Sequence, residues 1–324
     1  MMQDEWDTED VLFLDPEIDT KAQSFIQPSL FLPIGPPTFF LEESIARTKI
    51  VQFGDYCSAP GRKPSCIVCI SPRWISPDLK FRVMSNPKPT TIHDFVGFAD
   101  SLYEIEYVAE GSPLGAARVA EALSNAGIEW EFDERRGFDL GCWSPLALLF
   151  PDADVPVLQV SLNASLKAED HIAIGQALGP LRHEGYLLVC TGGVTHNPME
   201  ISLSSSENQP PPIWAEMVDT FVANVLLSSP LNEGNGGGGK APWVQRARRL
   251  AANDGHEGIA RAMITAHPAG TYLLPLLVAA AAGGVCTPLH RGWIHGCLST
   301  SAYVFGVEDP AVAAQRHLAA MGRP

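Results

Sequence analysis

The chain has 324 residues, 46% of them hydrophobic and 18% charged, enough apolar material for a sizeable core and too little charge for long disordered charged tracts. A formal net charge of -15 and a pI near 4.9 argue against nucleic acid as a partner, because neutralising phosphates needs clustered Lys and Arg. The first nineteen residues are acidic without the basic-then-apolar order of a secretion signal, and the longest apolar run, residues 273–282, falls short of the ~20 residues that span a bilayer. A cytoplasmic protein with no membrane partner is expected. Seven cysteines, an odd number scattered along the chain, fit reduced thiols better than a disulfide framework. Cys66-Ile67-Val68-Cys69 has CxxC spacing but stands alone inside an apolar run, which reads as core rather than a zinc knuckle.

In chain order, residues 1–28 read as an acidic extension, partly disordered, and residues 29–33 as a short apolar strand that breaks at Gly35-Pro36-Pro37. Residues 66–71 form a second strand, apolar throughout as expected for one buried on both faces, and deliver Pro72-Arg73-Trp74 to its end. An aromatic-rich region follows over 91–107. Pro113 opens a helix to Ala126 that stops at Gly127. Residues 136–143 read as a Gly-punctuated loop, 155–160 as a strand, and 168–182 as a helix.

The run Tyr186-Leu187-Leu188-Val189-Cys190 is a buried strand that ends in Gly192-Gly193 and presents His196 at a strand end, where open α/β sheets carry their ligands. A histidine there can change protonation near neutral pH. Residues 213–227, 242–252 and 272–282 read as helices, and 298–305 as the last strand. The Arg246-Ala247-Arg248-Arg249 run is the polar face of one of them. The four glycines within 232–239 lack the strand and the Gly-Lys-Ser/Thr ending of a phosphate-binding loop. Strands alternating with helices predict an α/β fold, a single domain around a largely parallel central sheet flanked by helices, spanning 29–305 with a tail over 306–324.

Several short motifs carry a resemblance. They are Ile34-Gly35-Pro36-Pro37-Thr38, Ile70-Ser71-Pro72-Arg73-Trp74, His93-Asp94-Phe95-Val96-Gly97-Phe98 and Arg136-Gly137-Phe138-Asp139-Leu140-Gly141. Further on come Pro151-Asp152-Ala153-Asp154-Val155-Pro156, Thr195-His196-Asn197, Ala266-His267-Pro268 and Leu273-Leu274-Pro275-Leu276. In this order the chain resembles the class III extradiol ring-cleavage dioxygenases, in the LigB or DOPA-dioxygenase-like branch. The resemblance implies that family's fold, a pocket for catechol-like phenols and a non-haem Fe2+ site, with zinc in some members.

The family's ligand positions do not carry over. Its first metal histidine falls on Ile34, its second on Arg73 and its third on Tyr272, with Thr271 replacing the neighbouring acid and Leu140 the histidine of an Asp-His-Gly motif. His196 alone survives. An Ile offers no lone pair and an Arg keeps its proton, whereas an open iron site needs about three ligands. No cofactor is therefore expected, the alternative being Fe2+ or Zn2+.

The replacements themselves point to other chemistry. Arg73, Tyr272 and His196 are expected as the catalytic set, with His196 deprotonating or orienting a hydroxyl and the other two stabilising charge on a carbonyl oxygen. Ile34, Leu140, Trp74, Asp139 and His267 are expected to line the site. The expected function is a redox-neutral isomerisation or cyclisation of an aromatic or polyketide-like small molecule, such as closure of a phenol oxygen onto an enone. The alternatives are an iron-dependent catechol dioxygenase and a non-catalytic binding module. Plainer roles suit the same motifs: Arg73 pairing with Asp94 or Asp139, Tyr272 as a half-buried packing residue, His267 as a helix-start histidine, and His290 and His295 at the surface. The sequence leaves the oligomeric state open.

Overall fold

The computed structural model describes residues 25–201, 210–228, 242–253 and 256–307. The acidic extension before residue 25, the glycine run at 232–239 and the tail beyond 307 lie outside the described residues. The elements run β1 (Ser29–Pro33), α1 (Ile45–Ser58), β2 (Cys66–Ile70), β3 (Phe81–Met84), α2 (Pro113–Asn125), β4 (Trp130–Asp133), α3 (Leu140–Leu149), β5 (Val157–Gln159) and α4 (Ala168–Leu178). Then come β6 (Tyr186–Gly192), α5 (Ile213–Leu227), α6 (Pro242–Ala251), α7 (Glu257–Ala266), α8 (Leu274–Ala281), β7 (Cys286–His290), β8 (Trp293–Ile294), β9 (Leu298–Ser299) and β10 (Ala302–Phe305).

Six strands form the central sheet in the order β5-β2-β6-β1-β10-β7. The first four are parallel, and β10 lies antiparallel between β1 and β7. Strands β1 and β2 are buried at every residue, so both faces of the sheet are covered there and their sequences are apolar without alternation. Helix α8 packs on β6 and β1, α3 on β6, α4 and α6 on α8, and α1 on α3. This is the expected α/β architecture with a largely parallel sheet and flanking helices. All seven cysteines are buried free thiols, as expected.

Two expectations are corrected. The stretch from residue 136 is a loop only as far as Asp139, because the Asp139 carboxylate caps the first turn of α3 by accepting from Cys142 N (3.2 Å). Nearly every residue of α3 is buried, so it carries no periodic signal despite Pro145 in its interior. The last strand is split: β9 pairs with β8 in a small antiparallel ribbon and β10 joins the central sheet, and between them the Ser299 and Ser301 hydroxyls both donate to Asp219 Oδ1 (3.0 and 2.6 Å).

Behind the sheet, Arg182 is buried without a carboxylate. It donates instead to four backbone carbonyls, those of Gln27, Ala282, Gly283 and Phe305, at 2.7–3.3 Å. Burial lowers its pKa to about 10, still far above neutrality, and it pins the entry to β1, the end of α8 and the end of β10 to one point.

Candidate functional site

Strands β2, β6 and β1 lie side by side and parallel, so the segments leaving their carboxyl ends converge. Ile34 leaves β1 fully buried, its N–H on Gly192 O (2.9 Å). Gly35 then turns the chain at φ +66, a conformation that costs a glycine nothing. Ser71, Arg73 and Trp74 leave β2, and Thr195, His196 and Asn197 leave β6. The Gly192-Gly193 pair at the end of β6 lets a fourth segment cross. Gly193 N donates to Tyr272 O (3.2 Å), and a Cβ on Gly192 would lie 2.1 Å from that same oxygen. Only glycine admits this approach, and it sets Tyr272 beside His196.

The flanking residues of the Thr-His-Asn triplet are anchors. Thr195 Oγ1 donates to Cys297 O (2.7 Å) and accepts from Ser299 N (3.0 Å). Asn197 Nδ2 donates to Thr265 O (2.7 Å), and His196 N donates to Ala266 O (3.0 Å). Held from both sides, the His196 imidazole lies flat on the Tyr272 ring, with ring centres 3.6 Å apart and planes 10° from parallel. Its ring nitrogens make no hydrogen bond among the described residues. Burial, then the neighbouring His267 and Arg73, push its pKa down to about 4, so the ring is neutral at physiological pH.

Arg73 is fixed as firmly. Its Nε donates to Asp94 Oδ2 and its Nη2 to Asp94 O, both at 2.6 Å, while Nη1 donates to Tyr272 Oη at 3.3 Å. Asp94 Oδ1 in turn accepts from Leu140 N (3.0 Å), so a single carboxylate ties the loop after β2 to the start of α3. Of the two partners expected for Arg73, Asp94 is the one the fold supplies. Asp139 pairs with Arg136 instead (2.7 Å), and burial pushes its pKa up against the pull of that cation. The Arg136 guanidinium also sits over the Trp74 ring, 4.9 Å from its centre.

The expected residues therefore fall into groups. Arg73, Tyr272 and His196 form one contiguous cluster. Ile34 and Leu140 are apolar wall, drawn together because Gly141 has no side chain: a Cβ there would lie 3.0 Å from Ile34 Cδ1 and 2.2 Å from Ser71 Oγ. Asp139 and Trp74 are engaged by Arg136 and support the wall. His267 is no helix-start residue, since it caps the carboxyl end of α7. Its Nε2 donates to Val194 O (2.8 Å), steadying the loop that carries His196, and burial pushes its pKa down to about 4 as well. His290 is half-buried against Thr300 rather than at the surface. The sequence offers Asp94 only as one of two pairing options for Arg73, although its place beside His93 in an aromatic-rich motif is a usable signal.

Three clefts elsewhere on the surface, beside α1 and β7, beside α5 and α7, and beside β3, share none of these residues. No helix among the described residues is long and apolar enough to cross a membrane.

The family described as "Catalytic LigB subunit of aromatic ring-opening dioxygenase" matches residues 46–242. The chain is similar to a Beta vulgaris protein named 4,5-DOPA dioxygenase extradiol, 31% identical over 88% of this chain and 98% of that protein. It is also similar to an Escherichia coli K12 protein of the same name, 34% identical over 66% of this chain and 76% of that one. Among solved structures it resembles that of an uncharacterized protein, JW3007, from Escherichia coli K12, with a TM-score of 0.65 and 28% identity, covering 86% of this chain and 100% of that one.

Proposed function

Because the chain belongs to the LigB family of aromatic ring-opening dioxygenase subunits, we propose that its strand-end site takes a phenolic small molecule and transforms it without a metal, by redox-neutral acid–base chemistry. The observation that carries this reading is the donor set. The positions where the family resemblance puts metal ligands hold Ile34 and Arg73, at strand ends, and Tyr272, just before α8. Arg73 is a guanidinium that repels a cation and is already committed to Asp94. Among the described residues no three or more His, Cys, Asp or Glu side chains come together so as to hold a metal ion. His196 and a phenol do not fit ferrous iron, which asks for about three ligands, commonly two His and a carboxylate.

The same residues suit charge developing on oxygen. Arg73 and the Tyr272 hydroxyl are preorganised donors of the oxyanion-hole kind, each worth about 3–4 kcal/mol of barrier when aimed at the right atom. The step proposed is intramolecular closure of a phenol oxygen onto an enone. The O–C bond forms as the C=C π pair moves toward the carbonyl, and the α carbon takes up a proton from solvent in place of the one the phenol oxygen gives up to solvent, so no oxidant or reductant is consumed. His196 orients the hydroxyl through an open ring nitrogen. Of the two roles open to it, deprotonating or orienting the hydroxyl, a pKa near 4 favours the second, because it makes the ring a weak proton acceptor.

The test is anaerobic, chelator-treated protein incubated with hydroxylated chalcone-type enones, with ring closure followed as loss of the enone absorbance. Turnover that falls with His196→Ala and Arg73→Ala supports the reading, and turnover unchanged in both variants overturns the assigned roles. A second reading, iron-dependent ring opening of a catechol, is favoured by the names of the relatives at 31–34% identity. Stoichiometric iron by metal analysis together with oxygen uptake on catechols would put that reading in place of the first.

A further inference from the structure

The hydrogen-bonding capacity left unspent at the site separates one kind of ligand from another. Arg73 commits three of its five N–H groups, two to Asp94 and one to Tyr272, which leaves two. Tyr272 accepts from Arg73 and keeps its own O–H. A neutral His196 adds one N–H and one lone pair, neither engaged within the described residues. Among these three side chains four unspent donors thus face two acceptors, the imidazole lone pair and the second lone pair of the Tyr272 oxygen, around a cation that cannot lose its proton. Asp94 accepts one bond at each carboxylate oxygen, from Arg73 and from Leu140 N, and stands toward solvent, where water fills its remaining lone pairs and screening weakens its repulsion of an anion.

A neutral phenol presents a donor and a poor acceptor to this surface, whereas an ionised one presents acceptors only. From this geometry we propose that the site takes its ligand as an oxyanion, the ionised form of an acidic phenol or enol, with the charged oxygen against Arg73 and the Tyr272 hydroxyl. The proposal rests on the reading of a metal-free phenolic site and narrows its substrate class. His196 agrees with it: a group titrating at about 4 would take a proton from an ordinary phenol, at about 10, with an equilibrium roughly a millionfold unfavourable, so the ligand must supply its own acidity.

The test uses the full chain and two probes of nearly equal shape, 4-nitrophenol and its O-methyl counterpart 4-nitroanisole, titrated at a mildly alkaline pH where the first is ionised. The nitrophenolate is expected to bind roughly ten- to hundredfold more tightly, as charge-assisted hydrogen bonds allow, and the bound probe to keep the absorption band of the ionised form. Arg73→Gln should abolish that preference, and Arg73→Lys, which restores the charge without the fork, should recover part of it. Equal binding of the two probes, a bound spectrum of the neutral phenol, failure of the nitrophenolate to bind, or an unchanged preference in Arg73→Gln would each overturn the proposal. Turnover of enones is read separately: nitrophenolate bound at Arg73 without ring closure leaves the oxyanion site standing and removes the proposed reaction, while ring closure without the preference does the reverse.

Discussion

The His196 imidazole and the Tyr272 phenol ring lie face to face, 3.6 Å between centres and 10° from parallel. Neither ring reaches this position alone. His196 is clamped by Thr195 and Asn197, and Tyr272 is admitted by the bare backbone of Gly192. The stack buries one face of the imidazole and leaves its nitrogens open at the edge, while Tyr272 Oη reaches Arg73. One aromatic ring thereby joins the neutral and the charged halves of the site.

The phenol oxygen and the ring of Tyr272 can be separated by mutation. Tyr272→Phe keeps the stack and loses one hydrogen bond to a charged group, so stability should change by no more than about 1–2 kcal/mol while nitrophenolate binding weakens about tenfold. Tyr272→Ala should also uncover the imidazole and move its titration up toward the ordinary histidine value of about 6.5. Calorimetric unfolding, ligand titration and histidine NMR read the three effects.

Acid should destabilise the fold in a defined window. His196 and His267 both have folded pKa values near 4, below the unfolded value of about 6.5, so the unfolded chain binds more protons between those limits. Their contribution is fully present above about pH 6.5 and is lost as pH falls toward 4, with an upper bound of about 3 kcal/mol for each imidazole. Melting temperature against pH should fall across this range, and less steeply in His267→Gln.

The approach at the end of β6 predicts a steric phenotype. A Cβ at Gly192 would stand 2.1 Å from Tyr272 O and 3.1 Å from the Phe31 ring, so Gly192→Ala must displace one of them. Overpacking of this kind costs about 1–3 kcal/mol. The variant should remain folded by circular dichroism, melt earlier and bind phenolate probes weakly, because the stack is shifted rather than a side chain removed.

Arg182 predicts a purely structural loss. Arg182→Met removes the donor to four buried carbonyls at once and should cost about 3 kcal/mol or more. A lower urea midpoint with an unchanged slope would record it. Arg182→Lys, with three donors in place of a planar fork, should recover only part.

Much of this fold is legible in the chain. Strands β1, β2 and β6 read as apolar runs because both faces are covered, and α2 announces itself with Ser112 as cap and Pro113 in the first turn. Helices α1 and α3 do not. In α3 almost every position is buried, so no polar face marks the helical period. In α1, Gly54 stands in the middle for a reason visible only in three dimensions: a Cβ there would lie 2.2 Å from Leu149 O, where α3 packs against it.

The site divides in the same way. By itself the sequence determined that Arg73 and His196 follow apolar strands, that Tyr272 opens a helical run, and which residue types stand at these motif positions, because residue types and motif order are local properties of the chain. Only the tertiary structure decided that Arg73 answers to Asp94 while Asp139 answers to Arg136, that Tyr272 lies flat on His196, and that the imidazole is neutral and a poor base. Those outcomes depend on distances of a few ångströms and on exclusion of water. Arg73 and Tyr272 stand 199 positions apart in the chain, and packing alone brings the guanidinium within 3.3 Å of the phenol oxygen.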